Sequence, residues 1–274
     1  MSSSFRDSRM VVTGASSGIG WHLSLQLAQE GARLAVVARR TERLHRLAGE
    51  IVKAGGPHPL VCICDVGSWE EVQEVKERVA AEFGHVDVLV NNAGRGAWGP
   101  LAQADPAELG AVVRTNLTGV VYMTRAFLPA MVARGSGHLV FVSSVLGELP
   151  APRHAVYGST KFAVTALAES LRHELAADNI DVTAVEPGLV RSGFASVSRT
   201  PAVRFEQLPS KSAVRTAELI VSAIRRKSRL AITDPLSAQA IRVRRHAPRL
   251  FSRLFGIACR RAFRKDPPRG NGQG

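Results

Sequence analysis

The feature that most constrains this chain is an alternation of short, nearly uninterrupted apolar runs with longer segments of helical character. Met10–Val12, Leu34–Ala38, Leu60–Cys64, Val86–Val90, His138–Val142 and Ile180–Val185 read as strands. So few polar residues interrupt them that both faces must be covered, as in a parallel sheet. The segments between them carry helix-start chemistry. Ser68 followed by Glu71 is a capping-box pattern, and Asp105-Pro106 offers an N-cap with proline at the first helical position. Gly31 and Gly84 stand where a helix must close before the next strand. Such alternation implies right-handed crossovers and predicts a doubly wound α/β sheet of about seven strands. The seventh is expected at Leu230–Thr233, after a helix around Thr216–Arg226.

A chain of 274 residues with 45% apolar and 22% charged residues can bury a real core, which excludes disorder and disulfide scaffolds. Cys62, Cys64 and Cys259 form no framework. The first two sit two apart in an apolar run and read as small buried hydrophobes of a reducing compartment, with no metal-ligand spacing near them. The first ten residues hold no apolar signal core, and no run is long enough to span a membrane, so a cytoplasmic protein is expected. Charge is unevenly spread. Residues 1–198 carry 18 Lys+Arg against 19 Asp+Glu, whereas residues 199–274 carry 18 against 4, so the net +13 belongs to the end of the chain. The expected division is a dinucleotide-binding catalytic domain over 1–233 and a basic amphipathic extension over 234–274, its last residues disordered by Pro and Gly content.

Directly after the first strand comes Thr13-Gly14-Ala15-Ser16-Ser17-Gly18-Ile19-Gly20, then a helix. Glycines let the backbone turn sharply and approach a pyrophosphate, whose charge rests on the helix N-terminus. This spacing, T-G-x-x-x-G-x-G, resembles the cofactor loop of the short-chain dehydrogenase/reductase family, and later segments match that family in order. Asp65-Val66 follows the third strand, where the family contacts adenine. Asn91-Asn92-Ala93-Gly94 follows the fourth, Asn116 lies in the next helix, and Ser143-Ser144 ends the fifth strand. Tyr157-Gly158-Ser159-Thr160-Lys161 matches Y-x-x-x-K, and Pro187-Gly188 follows the sixth strand. The resemblance runs from about Met10 to Leu230 and implies a single-domain, Rossmann-type sheet binding a nicotinamide dinucleotide.

The second strand ends Val37-Ala38-Arg39-Arg40. NAD-preferring folds place an acidic residue there for the ribose 2′-hydroxyl. Ala38 cannot serve, while Arg39 could pair with a 2′-phosphate, so NADP(H) is expected over NAD(H). The bland alternative is that Arg39 and Arg40 are a solvated loop pair. Tyr157 and Lys161 lie four apart on a helical stretch and share a face, where an ammonium is expected to lower the phenol's pKa. The resemblance implies that Tyr157 is the general acid in carbonyl reduction, that Lys161 also holds the nicotinamide ribose, and that Asn116 holds a water relaying protons to the lysine. It implies that Ser144 bonds the substrate oxygen, with Ser143 as the competing choice, and that hydride leaves the pro-S face. Further cofactor contacts are expected from Ser16, Ser17, Asn92, Ala93, Gly94, Pro187, Gly188 and Ser192; the last replaces a threonine usual in the family, and Glu186 stands where Asn is common.

The resulting expectation is an NADPH-dependent carbonyl/alcohol oxidoreductase. Trp98, Leu146, Leu149, His154, Leu189 and Phe194, with a mobile segment from about 194 to 210, suggest a bulky hydrophobic substrate such as a lipid, steroid-like or retinoid-like compound. Only Arg95 or Arg153 is placed to grip a carboxylate. A homodimer or tetramer through the helices carrying Asn116 and Tyr157 is implied by the resemblance. The other reading is a weakly catalytic NADP-binding redox sensor or scaffold acting through its tail; nucleic-acid binding is not expected, because interleaved aromatic platforms are missing. On a helix from Pro248 to Arg264, Leu250, Phe251, Leu254, Phe255, Ile257, Ala258 and Ala262 share one broad face. Arg249, Arg253, Arg260 and Arg264 cluster beside it, and Arg261 alone falls in the stripe, where its stem can snorkel outward. This pattern fits an anionic membrane surface, the enzyme's own cleft or a second subunit.

Overall fold

The computed structural model describes residues 5–191 and 210–263, with side chains to 260. Ser192 and Phe194 lie outside these residues. The chain divides into two compact units, Met1–Thr233 and Asp234–Gly274.

The first unit is built on seven parallel strands. β1 (Arg9–Thr13), β2 (Arg33–Ala38), β3 (Leu60–Ile63), β4 (Val88–Asn91), β5 (Gly137–Val142), β6 (Ile180–Glu186) and β9 (Leu230–Ile232) lie in the order β3-β2-β1-β4-β5-β6-β9. The order reverses between β1 and β4, so the crevice at the carboxyl ends of those strands is the natural ligand site of such a sheet. Strand alternation explains the layers. Met10 and Val12 face one side, where they meet Leu23 and Leu27 of α1 (Gly18–Gln29), Leu44 and Leu47 of α2 (Thr41–Lys53), and Ile220 and Ile224 of α7 (Ala213–Arg225). Val11 faces the other side with Leu89, Leu139 and Phe141, beneath α3 (Trp69–Phe83), α5 (Gly119–Arg134) and α6 (Ala155–Glu174). Leu23, Leu27 and Phe141 are wholly buried; each such side chain contributes about 1.5–3 kcal/mol of burial.

Local signals behave as read, with one correction. Asp105 caps α4 (Pro106–Val113) by accepting from Ala107 N–H at 3.0 Å. Ser68 caps α3 by accepting from Glu71 N–H at 3.2 Å. The Glu71 carboxylate does not close the reciprocal half of the box; it reaches past the cap to the Asp65 N–H at 2.8 Å. A π-helical turn over Arg114–Thr118 joins α4 to α5. Two-residue strands β7 (Val190–Arg191) and β8 (Lys211–Ser212) pair in parallel, too short to show in a pattern of apolar residues. In the second unit, α8 (Pro235–His246) is capped by Asp234, which accepts from Ser237 N–H at 2.8 Å, and α9 (Pro248–Phe263) follows.

Candidate active site

The carboxyl ends of β1, β4 and β5 open onto a cavity of about 500 Å³. One end is formed by Gly14, Ser16, Ser17, Gly18 and Ile19. The Thr13 hydroxyl fixes this loop, donating to Val90 C=O at 3.2 Å and accepting from Asn92 N–H at 2.9 Å and Ala93 N–H at 3.0 Å. The Asn92 amide donates to Thr13 C=O at 2.9 Å. Gly14 has φ +67°, and a Cβ there would meet Ala93 Cα at 2.8 Å; a Cβ on Gly20 would meet the Gly14 carbonyl oxygen at 2.4 Å. Neither position tolerates a side chain. Gly20 therefore sits behind the loop as a packing residue instead of lining the cavity.

Ser17 occupies the N-cap of α1, yet its hydroxyl makes no cap bond. Arg40 takes it instead, donating to Ser17 Oγ at 2.6 Å and to Ser16 Oγ at 2.9 and 3.1 Å. The first-turn N–H groups of α1 thus face the cavity without a side-chain cap, which suits a pyrophosphate. Burial, then the charges of Arg43 and Arg39, pull the Arg40 pKa below its ordinary value. Arg39 also lines the cavity but turns to Asp65 at 3.5 Å. Arg39 was the residue expected to meet a 2′-phosphate, but Arg40 is the arginine tied to the phosphate loop. Its neighbour's position at the strand end gave the only available signal. Asp65 is held by its bonds to Glu71 and, through Oδ1, to Gly67 N–H at 3.0 Å. Asp65, Val66, Asn92, Ala93 and Gly94 line the middle of the cavity, and Pro187 and Gly188 its far wall. A glycine cradle, an uncapped helix end and this length of lining fit a dinucleotide.

At the other end Ser144, Tyr157 and Lys161 converge on the same cavity. Ser143 and Ser144 both line the cavity and differ in their hydrogen bonding. Ser143 Oγ donates to Lys161 C=O at 2.9 Å and lies 2.9 Å from Thr165 Oγ1. Thr165 in turn donates to the buried Glu186 carboxylate at 3.3 Å. Ser143 is therefore engaged beneath the helix. Ser144 faces the cavity, with its Oγ accepting from Leu146 N–H at 3.1 Å and bonding Tyr157.

Lys161 Nζ lies 5.9 Å from the Tyr157 ring centre and donates to Val142 C=O at 2.9 Å. Burial works against the expected lowering of the tyrosine. Burial pushes the Tyr157 phenol up to about 12, opposed in part by its bond to Ser144, and pushes Lys161 down to about 8. Desolvation penalises the charged form of each. Asn116 stands close to this pair: a Cβ on Gly94 would lie 3.5 Å from Asn116 Oδ1 and 3.7 Å from Lys161 Nζ. It is fully buried in the π-helical turn, behind the cavity wall. Its Oδ1 accepts from Arg95 N–H at 2.8 Å, and its Nδ2 donates to Arg95 C=O at 2.9 Å and Thr160 Oγ1 at 3.2 Å.

The substrate side is lined by Arg95, Trp98, Leu146, His154 and Leu189. Leu149 is buried away from it. Arg95 is paired with Glu108 at 2.6 Å, and Arg153 lies 5.1 Å over the Trp98 ring, lining a neighbouring cavity of about 240 Å³. Cys64 touches the cofactor end, but burial and then the Glu71 and Asp65 charges push its thiol up to about 12, so it is inert at neutral pH.

Comparisons agree with this geometry. A family model described as short chain dehydrogenase matches residues 8–202. The chain is 31% identical over 268 residues to dehydrogenase/reductase SDR family member 7B of Bos taurus, covering 93% of this chain and 82% of the relative. A short-chain dehydrogenase/reductase from Burkholderia phymatum, solved with NAD, superposes with TM-score 0.83 at 27% identity, over 90% of this chain and 96% of that one. A short-chain dehydrogenase from Sphingobium yanoikuyae, solved with NADPH, gives TM-score 0.77 at 25% identity, over 97% and 98%. With the loop, the Ser-Tyr-Lys convergence and these matches together, the chain belongs to the short-chain dehydrogenase/reductase family and is an NAD(P)-dependent oxidoreductase acting on CH–OH and C=O groups.

Proposed function

We propose that this enzyme is an NADPH-preferring reductase of bulky, hydrophobic ketones or aldehydes, with Ser144, Tyr157 and Lys161 as its catalytic residues. The observation that carries this reading is the convergence of those three side chains on one end of a cavity whose other end is the phosphate loop. When bound, the reduced nicotinamide supplies the hydride that reaches the carbonyl carbon.

The chain's own groups handle the oxygen. Ser144 Oγ–H donates to the carbonyl oxygen as negative charge builds there, and Tyr157 O–H delivers the proton that completes the alcohol. A phenol is protonated at neutral pH, the state a proton donor needs, and burial reinforces that state. The ammonium of Lys161 stabilises the phenolate left behind, and its N–H groups not held by Val142 C=O are available to ribose hydroxyls. Asn116 acts as a positioning residue, locking the backbone at Arg95 to the helix that carries Tyr157.

The cofactor preference rests on Ala38, which offers no acceptor to a 2′-hydroxyl, and on the guanidinium groups of Arg40 and Arg39 beside it. The hydrophobic substrate rests on Trp98, Leu146 and Leu189 at the open end, beside an Arg95 whose terminal nitrogen is paired with Glu108. Exposed Val113 and Val121 on α4 and α5 support a homo-oligomer through these helices. The test is NADPH oxidation with a panel of ketones graded in size and polarity, run beside Tyr157→Phe. Turnover on large apolar ketones that the variant loses is expected. Best turnover on a short polar substrate, or an active Tyr157→Phe, overturns the reading.

A further inference from the structure

The catalytic cavity leaves the second unit, Asp234–Gly274, without a task. Its charge is lopsided: ten Lys/Arg stand against only Asp234 and Asp266. α9 contains no acidic residue at all. At 100° per residue, Arg249, Arg253 and Arg260 fall within about 40° of one another around that helix, and all three are exposed. The adjoining face holds Leu250, Leu254 and Ile257. Leu250 and Leu254 are 52% and 54% exposed, an unusual state for leucines on a helix that also has an apolar side to bury. On the next face round, Phe251 and Phe255 are half-buried and stack on each other with centroids 5.1 Å apart. Leu236 of α8 is 70% exposed as well.

We infer that α9 docks on an anionic lipid surface, with Leu250 and Leu254 entering the headgroup layer and Arg249, Arg253 and Arg260 pairing with lipid phosphates or carboxylates. Charge complementarity selects this occupant. A dense positive stripe repels a second copy of itself, but an anionic leaflet attracts each such residue. Exposed leucines alongside the arginines favour lipid over nucleic acid, whose grooves reward aromatic stacking and base-edge donors. Among the described residues no helix is long and apolar enough to cross a membrane, so the contact is with the surface.

The test is co-sedimentation of the full-length protein with phosphatidylcholine vesicles, with and without about one-third phosphatidylserine. Binding is expected only to the anionic vesicles at low salt, with release at about 0.5 M salt, where the screening length falls to a few ångströms. The triple change Arg249→Gln, Arg253→Gln, Arg260→Gln is expected to lower the partition coefficient roughly a hundredfold. The double change Leu250→Ser, Leu254→Ser is expected to lower it about tenfold or more. Both variants keep reductase activity in solution, which separates this result from failure of the catalytic reading. The inference is overturned if the wild type ignores anionic vesicles or binds neutral ones equally. It is also overturned if duplex DNA is bound in their place, or if removing residue 248 onward dissolves an oligomer while vesicles never bind.

Discussion

Replacing Arg40 by alanine isolates the cofactor preference in a single side chain. Its guanidinium is held in a fixed attitude by Ser16 and Ser17, at 2.6 to 3.1 Å, on the rim of the phosphate loop. A 2′-phosphate carries about −1.5 to −2 charges at neutral pH. At about 4 Å and an effective dielectric of about 20, each unit charge is worth about 4 kcal/mol. Arg40 is an exposed residue, so screening and the loss of its serine bonds reduce this to about 2 kcal/mol, in line with hydrogen bonds to charged groups. The expected result is a rise of about 10- to 100-fold in KM for NADPH. KM for NADH should move less than about threefold, because the phosphate is missing from that cofactor. Arg39→Ala should have the smaller effect, since its guanidinium is shared with Asp65 at 3.5 Å. Initial rates at saturating ketone and fluorescence titration of the two cofactors give both numbers. An Arg40→Ala enzyme whose NADPH KM is unchanged, or a wild type with equal kcat/KM for both cofactors, refutes the reasoning.

Tyr157→Phe should lower kcat by about 10²- to 10⁴-fold while the dissociation constant for NADPH, read by calorimetry, stays within a few-fold of wild type. Lys161 is a charge held at a cost. Its pKa is lowered to about 8 in the fold from 10.5, so the unfolded chain binds more protons between those values and stability rises with pH across that window. Lys161→Met should therefore gain relative to wild type in melts at pH 7, by up to about 3 kcal/mol less its lost bond to Val142, with the advantage shrinking by pH 9.5; an advantage that grows with pH refutes it. The rate of carbonyl reduction should fall as pH rises above about 8, where Lys161 loses its charge, and a flat profile to pH 10 would contradict the role given to that ammonium. Gly20→Ala should destabilise the apoprotein by about 2–4 kcal/mol and abolish cofactor binding, because its methyl would sit 2.4 Å from the Gly14 carbonyl oxygen.

Much of this was legible in the residues because the strands are short, apolar and bounded by chemistry. All seven sheet strands lie where the runs of Val, Leu and Ile place them, with ends displaced by a residue or two: Val86–Val90 was expected where β4 runs Val88–Asn91. The turn types of Ser68 and Asp105 were readable because capping is a local event. What escaped was non-local. At the end of β2, successive residues leave in different directions, so sequence could not say which of Arg39 and Arg40 would reach the serines twenty-odd positions earlier. The tyrosine and lysine were identified correctly as neighbours, but their titration depends on how much water the surrounding chain removes, a sum over residues far apart in sequence. The π-helical turn likewise left no mark, because Arg114–Thr118 differs from an ordinary helix only in its hydrogen-bond partners.

The Thr13 hydroxyl has one hydrogen to give and two lone pairs to share, and all three are committed. Its partners lie on β4 and on the segment after it, so the halves of the crevice that receive opposite ends of the dinucleotide are one mechanical piece before any ligand arrives. Little chain entropy is then left to lose at that seam on binding, and cofactor capture there resembles a key entering a finished lock more than a hand closing. Valine, nearly the same shape, would leave the sheet intact yet strip the Ala93 N–H of its acceptor, while the Asn92 N–H keeps the Val90 carbonyl at 3.1 Å. The penalty would then surface as slower capture and a more negative binding entropy, in a protein whose melting curve had barely shifted.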